Sequence, residues 1–214
     1  MASEVLQQLK GKLLDLDMDG TIAAVKLIID GKGEATAGDA VDALSEGLQV
    51  VGKRFQEGEW FLVELVYAGE IAKEAMNLLS PLVVTEPSRL LGIIVVGTVA
   101  GDLHDLGKNI FITYAKSAGF KVIDLGVDVA VQGFVDAVKE HKPLALGISC
   151  LLTSTDREIG KVIEELKKQN IRDGVKVIIG GAALTEGFAA SSGADAFAPD
   201  AVTGTDIIRK WSSA

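Results

Sequence analysis

Apolar and charged positions alternate at helical spacing from the start of the chain to about residue 86. The apolar residues fall three and four positions apart, as in helices that bury one face. Breaks at Asp19-Gly20, at Gly31 and at Gly58 separate four such stretches, and short connections between four helices favour an antiparallel bundle. The second to fourth helices are predicted at residues 21–30, 36–55 and 60–79.

From Leu90 onward, short apolar runs alternate with helical patterns. Strands are predicted at residues 92–99, 121–125, 144–149, 175–179 and 194–198. Helices are predicted between and after them, at residues 108–118, 131–140, 156–169, 185–191 and 203–212. Because continuous apolar strands that alternate with helices are typical of a parallel sheet covered on both faces, we expect a flavodoxin-like sheet of five strands.

The change of pattern divides the chain into two predicted domains. Residues 1–88 are expected to form a helical-bundle cap, and residues 89–214 an α/β domain. The segment at residues 83–89 carries Pro87 and polar side chains, with Pro81 just before it, as is typical of a linker. The predicted fold class is therefore α/β, with an N-terminal four-helix bundle cap followed by a flavodoxin-like five-stranded parallel sheet domain.

Composition narrows the classes of function. The chain has 21 Lys and Arg against 30 Asp and Glu, a formal net charge of −9, which argues against a nucleic-acid partner. Cys150 is its single cysteine, so an internal disulfide is excluded and a reducing compartment is expected. The first 19 residues alternate charged and apolar positions, unlike a signal peptide or a membrane span. The sequence thus predicts a soluble, cytoplasmic protein that does not bind membranes.

Three unusual loops follow predicted strands. The first contains His104, one of two histidines in the chain, placed two residues after Asp102. The loop at residues 149–155 is rich in hydroxyl groups, and Gly180-Gly181 follows the fourth strand. Flavodoxin-like sheets bind ligands at the carboxyl ends of their strands, near the point where the strand order reverses. We therefore expect the loops to meet at one ligand site, where a carboxylate orients an imidazole.

Three short motifs follow one another in the second domain: Asp102-x-His104-x-x-Gly107, Ser149-x-Leu151 and Gly180-Gly181. Together they resemble the cobalamin-binding module of methionine synthase and of corrinoid methyl-carrier proteins. Residues 101–109 and 193–200 are also similar to that family, and residues 55–65 resemble the four-helix cap that precedes its binding domain. The chain departs from the family at Val63, where a proline is usual, which leaves the geometry of that helix open.

The resemblance implies that the cofactor is cobalamin or a related corrinoid, and that His104 is the axial ligand of its cobalt. Asp102 would accept a hydrogen bond from the other ring nitrogen, and Thr155 would continue this relay. In the cap, Phe61 and Leu65 would cover the upper face of the corrinoid. The loops after the third and fourth strands would line the slot for the nucleotide tail. The residues expected to bind the cofactor are Gly101, Asp102, Leu103, His104, Asp105, Leu106, Gly107, Ser149, Leu151, Thr153, Gly180, Gly181 and Ala182, with Phe61 and Leu65.

The resemblance also implies a role in methyl transfer. A substrate-specific methyltransferase would deliver a methyl group to the cobalt, so that the methylated corrinoid is the intermediate. A second methyltransferase, expected to use tetrahydrofolate as acceptor, would remove it, and a reductive activator would restore oxidised cobalt. The chain would be a methyl-carrying subunit rather than a complete catalyst. Aryl methyl ethers, as in O-demethylase systems, are the favoured donors, while methanol, methylamines and betaines stay open.

Other functions share parts of this pattern. A cobalamin-dependent sensor can join the same cap and binding domain to a DNA-binding domain, but no helix-turn-helix pattern is visible here. A small subunit of an adenosylcobalamin mutase has the binding domain and as a rule lacks the cap. A flavodoxin-like electron carrier accounts for the sheet and leaves Asp102 and His104 unexplained. The methyl carrier is therefore the leading hypothesis.

Overall fold

The computed structural model describes residues 4–31, 35–83 and 90–213. The chain divides into two compact units, residues 1–89 with 117–119 and residues 90–116 with 120–214. The predicted domain boundary at residue 88 and the predicted linker residues 84–89 lie outside the described residues. Within the described ranges, no helix is both long enough and apolar enough to cross a membrane.

The first unit is built of helices, as the hydrophobic pattern predicts. They are α1 (Glu4–Leu14), α2 (Met18–Ile29), α3 (Ala37–Gln56) and α4 (Leu62–Val83). Both α1 and α4 pack against α2 and α3. Each buried face repeats at three or four residues, as with Leu9 and Leu13 in α1 and Leu44 and Leu48 in α3. The amphipathic pattern thus specifies which face of each helix enters the core.

The start of α2 differs from the sequence prediction. Asp19 and Gly20 lie in its first turn rather than between two helices. The chain turns earlier, at Leu16 with a φ of +56°, and the Asp17 carboxylate caps α2 by accepting a hydrogen bond from the Gly20 amide at 2.9 Å. The predicted break is wrong because acidic residues near a glycine also suit a helix start, where a carboxylate satisfies a free backbone N–H group.

The start of α4 explains why Val63 is tolerated. Val63 is the second residue of α4 and is exposed. The turn is closed by Glu64, whose Oε2 accepts a hydrogen bond from the Phe61 amide at 2.9 Å. Proline is accepted in the first turn because the N–H groups there have no partner inside the helix. A valine at that position therefore leaves the helix regular.

The second unit alternates strands and helices, as predicted. The strands are β1 (Gly92–Thr98), β2 (Phe120–Asp124), β3 (Ala145–Ser149), β4 (Lys176–Gly180) and β5 (Ala196–Ala198). The helices are α5 (Leu106–Ser117), α6 (Val131–His141), α7 (Arg157–Lys168), α8 (Glu186–Ser192) and α9 (Ala201–Ser212), with a 3-10 turn at Arg172–Gly174. All strand pairings are parallel in the order β2-β1-β3-β4-β5, which confirms the predicted flavodoxin-like fold.

Strand register brings the ends of β1, β3 and β4 to one edge of the sheet. Thr98 pairs with Ser149, and Ser149 pairs with Gly180. The strand order reverses between β1 and β3, so the loops that leave these strands flank the usual ligand position of the fold. Below them, Leu146 and Phe134 belong to the buried apolar core, which gives the loops a rigid base.

Candidate functional site

Asp102 joins two of the predicted loops. It lies in the loop after β1 and is fully buried. Its Oδ1 accepts a hydrogen bond from the His104 amide at 3.0 Å and lies 2.7 Å from the His104 Nδ1. Its Oδ2 accepts hydrogen bonds from the backbone amides of Leu151 at 2.6 Å and Leu152 at 3.3 Å, in the loop after β3. One carboxylate therefore fixes both loops and the imidazole.

These hydrogen bonds keep the Asp102 carboxyl ionised. Burial alone would raise its pKa, because it penalises the charged form. The backbone amides of His104 and Leu151, then the imidazole and the Leu152 amide, outweigh that effect and lower the pKa below its usual value. Asp102 is therefore an acceptor at neutral pH.

His104 is the candidate metal ligand of this loop. Because an ionised Asp102 accepts from Nδ1, the proton of the neutral imidazole resides on Nδ1 and the lone pair on Nε2. The side chain is 54% exposed, so it is open to a ligand outside the protein. A neutral imidazole whose second nitrogen is held by a carboxylate is the usual arrangement of a metal-binding histidine.

The backbone of the His104 loop has two further anchors that the sequence analysis missed. The Thr98 hydroxyl, at the end of β1, donates to the His104 carbonyl oxygen at 3.1 Å. The Asp128 carboxylate accepts from the Gly101 amide at 2.7 Å, and the Asp128 amide donates to the Asp102 carbonyl oxygen at 3.0 Å. In the sequence, Thr98 could have been noticed as a hydroxyl residue at the end of an otherwise apolar predicted strand.

Three leucines in the loops after β1 and β3 and at the start of α5 are exposed. Leu103, Leu106 and Leu151 are 70%, 57% and 40% exposed, which is unusual for leucine. Gly107, in the first turn of α5, has nothing within 4 Å of the position that a Cβ would occupy. Asp105, between them, is also exposed. These residues therefore leave exposed apolar side chains and free space next to His104 in the sequence.

Lys108, in the first turn of α5, is a buried cation that the sequence analysis also missed. Its side chain is almost fully buried, and its Nζ donates to Asp124 Oδ1 at 2.8 Å, Asp124 Oδ2 at 2.9 Å and Asn109 Oδ1 at 3.0 Å. Asp124 Oδ1 also accepts from the Gly126 amide at 2.9 Å. The pair ties the start of α5 to the end of β2, so it stabilises the segment next to Gly107.

Gly180, which ends β4, and Gly181, which follows it, both lie against the backbone of Cys150. A Cβ at Gly181, whose φ is +131°, would overlap the Cys150 carbonyl oxygen, and the Cys150 amide donates to the Gly180 oxygen at 3.0 Å. At Gly181 the backbone of Cys150 therefore makes a close approach, and contact of Gly180-Gly181 with a ligand stays a prediction. Ala182, the next residue, is exposed.

The predicted relay through Thr155 differs from the observed contacts. The Thr155 hydroxyl donates to the Leu152 carbonyl oxygen at 3.0 Å and lies 3.4 Å from Cys150 Sγ. The Asp102 Oδ2 that would face it already accepts two backbone amides. Burial, the largest influence on Cys150, raises the pKa of its thiol. Thr155 therefore supports the fold of the β3 loop, and its part in a relay to Asp102 stays a prediction.

The remaining predicted residues occupy different environments. Ser149, at the end of β3, is half-buried, and Thr153, in the loop that follows, is exposed. In the helical unit, Phe61 precedes α4 and is 72% exposed, whereas Leu65 is buried on the same face of α4 as Ala68. Phe61 can therefore meet a ligand with its ring. Contact of any of these residues with a cofactor stays a prediction.

Comparisons with known proteins match both parts of the chain. Two family models, each described as a B12 binding domain, match residues 92–205 and residues 5–80. Dimethylamine corrinoid protein 1 of Methanosarcina acetivorans is 38% identical over 200 residues, which cover 92% of each chain. Trimethylamine corrinoid protein 1 of that organism is 34% identical over 215 residues, covering 97% of this chain and 95% of the relative. A crystal structure of a cobalamin-binding protein from Desulfitobacterium hafniense DCB-2 has 38% identity and a TM-score of 0.80, covering 96% of this chain and 98% of that one.

Proposed function

This chain belongs to the family of B12-binding corrinoid proteins, and from that premise we propose that it carries a methyl group between two methyltransferases. Its cofactor is a corrinoid, and its place is in a methyltransferase system. When bound, the corrinoid supplies a cobalt ion that takes up and releases a methyl group. The chain itself supplies the ligand, the binding surface and the shielding.

The pairing of Asp102 with His104 is the observation that carries the proposal. The 2.7 Å contact to Nδ1 leaves the Nε2 lone pair for cobalt, and the ionised carboxylate makes the imidazole a stronger donor. The exposed leucines of these loops fit the apolar parts of a macrocycle, since neighbouring exposed apolar side chains are typical of a ligand-binding surface. The residues present therefore fit the cofactor of the family.

The other predicted residues complete the proposed site. Ser149, Thr153 and the backbone at Gly180-Gly181 lie where the loops after β3 and β4 begin, so they would line the path of the nucleotide tail. Phe61 would cover the opposite face of the corrinoid and exclude water from the methyl group. A cover of this kind must open to admit each methyltransferase in turn.

The methyl donor is the finer part of the proposal. The names of the two archaeal relatives specify dimethylamine and trimethylamine, which supports a methylated amine as donor. An aryl methyl ether, the expectation from the sequence, is the second donor to test. The acceptor methyltransferase and its use of tetrahydrofolate are proposed on the resemblance to methyl-carrier systems, and the reductive activator because cobalt(I) is readily oxidised.

Reconstitution with hydroxocobalamin tests the cofactor site. We expect the wild-type protein to retain one corrinoid per chain, with an EPR spectrum of the cobalt(II) form that shows coupling to an imidazole nitrogen. His104→Ala removes that coupling, whereas His141→Ala, which changes the other histidine, keeps it. Failure of the wild-type protein to retain a corrinoid would contradict the proposal.

A methyl-transfer assay tests the donor. The reduced protein is mixed with a purified amine methyltransferase and dimethylamine, or with an O-demethylase methyltransferase and an aryl methyl ether. Absorbance then reports methylation of the cofactor. Methylation with the amine pair alone supports an amine donor, methylation with the ether pair alone transfers the proposal to O-demethylation, and methylation with neither rejects both donors.

A further inference from the structure

The Thr98 hydroxyl binds the His104 carbonyl group, which Asp102 does not contact. Its hydroxyl donates to the His104 carbonyl oxygen at 3.1 Å, while Asp102 holds the His104 amide and ring. Thr98 is fully buried, so it cannot touch a ligand itself. The backbone on both sides of the histidine is therefore restrained by hydrogen bonds to the protein.

The backbone of Thr98 is itself firmly placed. Its amide donates to the Gly126 carbonyl oxygen at 3.0 Å, and its carbonyl oxygen accepts from the Val129 amide at 2.9 Å. Gly126 in turn donates to Asp124, which pairs with the buried Lys108. Because the Thr98 backbone is held in place, its hydroxyl also restrains the backbone of His104.

We propose that Thr98 is a positioning residue for the cobalt ligand. Its hydroxyl fixes the His104 carbonyl group, so that Nε2 is presented to the cobalt in a single position. This inference rests on the proposed function, because it requires a corrinoid as ligand. A ligand atom held in place before binding loses less conformational freedom when the bond to the metal forms.

Two pairs of variants isolate the hydroxyl group. T98S and T98A differ from each other only in that group, and T205S and T205A form the matched control. Thr205 is also buried, and its hydroxyl also donates to a backbone carbonyl oxygen, that of Ala201 at 2.9 Å in α9. Each pair therefore loses one buried hydrogen bond, but only the first loses a bond to His104.

Three measurements are made on each variant: thermal unfolding of the apo-protein, its hydroxocobalamin affinity by absorbance titration, and the EPR spectrum of the reconstituted protein in the cobalt(II) form. We expect T98A to bind the corrinoid about tenfold more weakly than T98S, the equivalent of one lost buried hydrogen bond. The fraction of cobalt coupled to an imidazole nitrogen falls in T98A and is restored in T98S. The Thr205 pair differs in thermal stability only.

Each of the other possible results would contradict the role of Thr98, the proposed function, or both. Equal affinity and equal nitrogen coupling in T98A and T98S would overturn the role of Thr98 and leave the proposed function intact. A wild-type protein without a nitrogen-coupled spectrum would overturn both. If T98A does not fold, T98V, which keeps the side-chain volume, replaces it in the comparison. Failure of both to fold while T98S folds would assign Thr98 a purely structural role.

Discussion

At the scale of the residue, one buried carboxylate organises the site. Both oxygens of Asp102 accept two groups each, which join loops 49 residues apart in sequence. The sequence predicts its contact with His104, since two residues of separation place them together. It does not predict that the backbone amides of Leu151 and Leu152, in the loop after β3, also donate to Asp102.

Gly107→Ala should have opposite effects on stability and on binding. Nothing lies within 4 Å of its Cβ position, so alanine stabilises the helix by up to about 1 kcal/mol. The same methyl group would occupy space that the corrinoid needs, weakening hydroxocobalamin binding about tenfold. Urea unfolding and absorbance titration measure the two effects.

Gly160→Ala is the control for that experiment. Gly160 lies in α7 and also has nothing within 4 Å of its Cβ position. Alanine there should stabilise the protein similarly and leave corrinoid affinity unchanged. If Gly107→Ala binds the corrinoid as the wild-type protein does, the ligand does not lie on this turn.

Cys150 should react slowly with thiol reagents. It is fully buried, and burial raises the pKa of its thiol, so the reactive thiolate is scarcer at pH 8 than in a free cysteine. We expect alkylation of the native protein to be at least about 100-fold slower than in concentrated urea, because it requires opening of the structure. Iodoacetamide labelling followed by mass spectrometry gives both rates, and comparable rates would show that the β3 loop opens readily.

At the scale of the element, periodicity predicts where helices and strands lie, and local hydrogen bonds decide where they begin. β1, predicted at residues 92–99, spans Gly92–Thr98, and α7, predicted at residues 156–169, spans Arg157–Lys168. The error at Asp19-Gly20 arises because the same residue types favour turns and helix starts. Such a choice depends on which backbone N–H group the carboxylate meets.

Removing either partner of the ion pair between α5 and the end of β2 should have unequal effects on stability. Asp124→Ala leaves the buried Lys108 ammonium without its counter-charge, so we expect a loss of about 3 kcal/mol in the free energy of unfolding. Lys108→Met replaces the ammonium by an apolar group of similar length, and the 40% exposed Asp124 can turn to water. That variant should lose only about 1 kcal/mol.

Urea unfolding of both variants measures this asymmetry. Lys161→Met is the control, because Lys161 pairs with Glu158 at 2.7 Å on the exposed side of α7 and should contribute less than about 0.5 kcal/mol. Equal losses in Lys108→Met and Asp124→Ala would indicate that the attraction between the charges, rather than the burial of the ammonium, dominates.

At the scale of the whole molecule, both units should respond to the cofactor. Hydroxocobalamin should slow amide hydrogen exchange in residues 101–107, 149–153 and 180–182 by about tenfold or more, because a bound ligand suppresses local opening. If Phe61 covers the corrinoid, residues 60–65 should be protected as well. Residues 157–168 of α7 serve as the internal reference, and protection confined to the α/β unit would remove Phe61 and Leu65 from the site.

The sequence by itself determined the helical part, the parallel sheet and the segment that carries Asp102 and His104. These depend on neighbours along the chain, which repeat at 3.6 residues or follow one another in a single loop. The tertiary structure decided the hydrogen bonds from the β3 loop to Asp102, the contact of Gly181 with Cys150, the pairing of Lys108 with Asp124 and the hydrogen bond from Thr98 to His104. Most of these contacts depend on strand register, which brings together groups far apart in sequence, and the hydrogen bond from Thr98 depends on how its loop folds back.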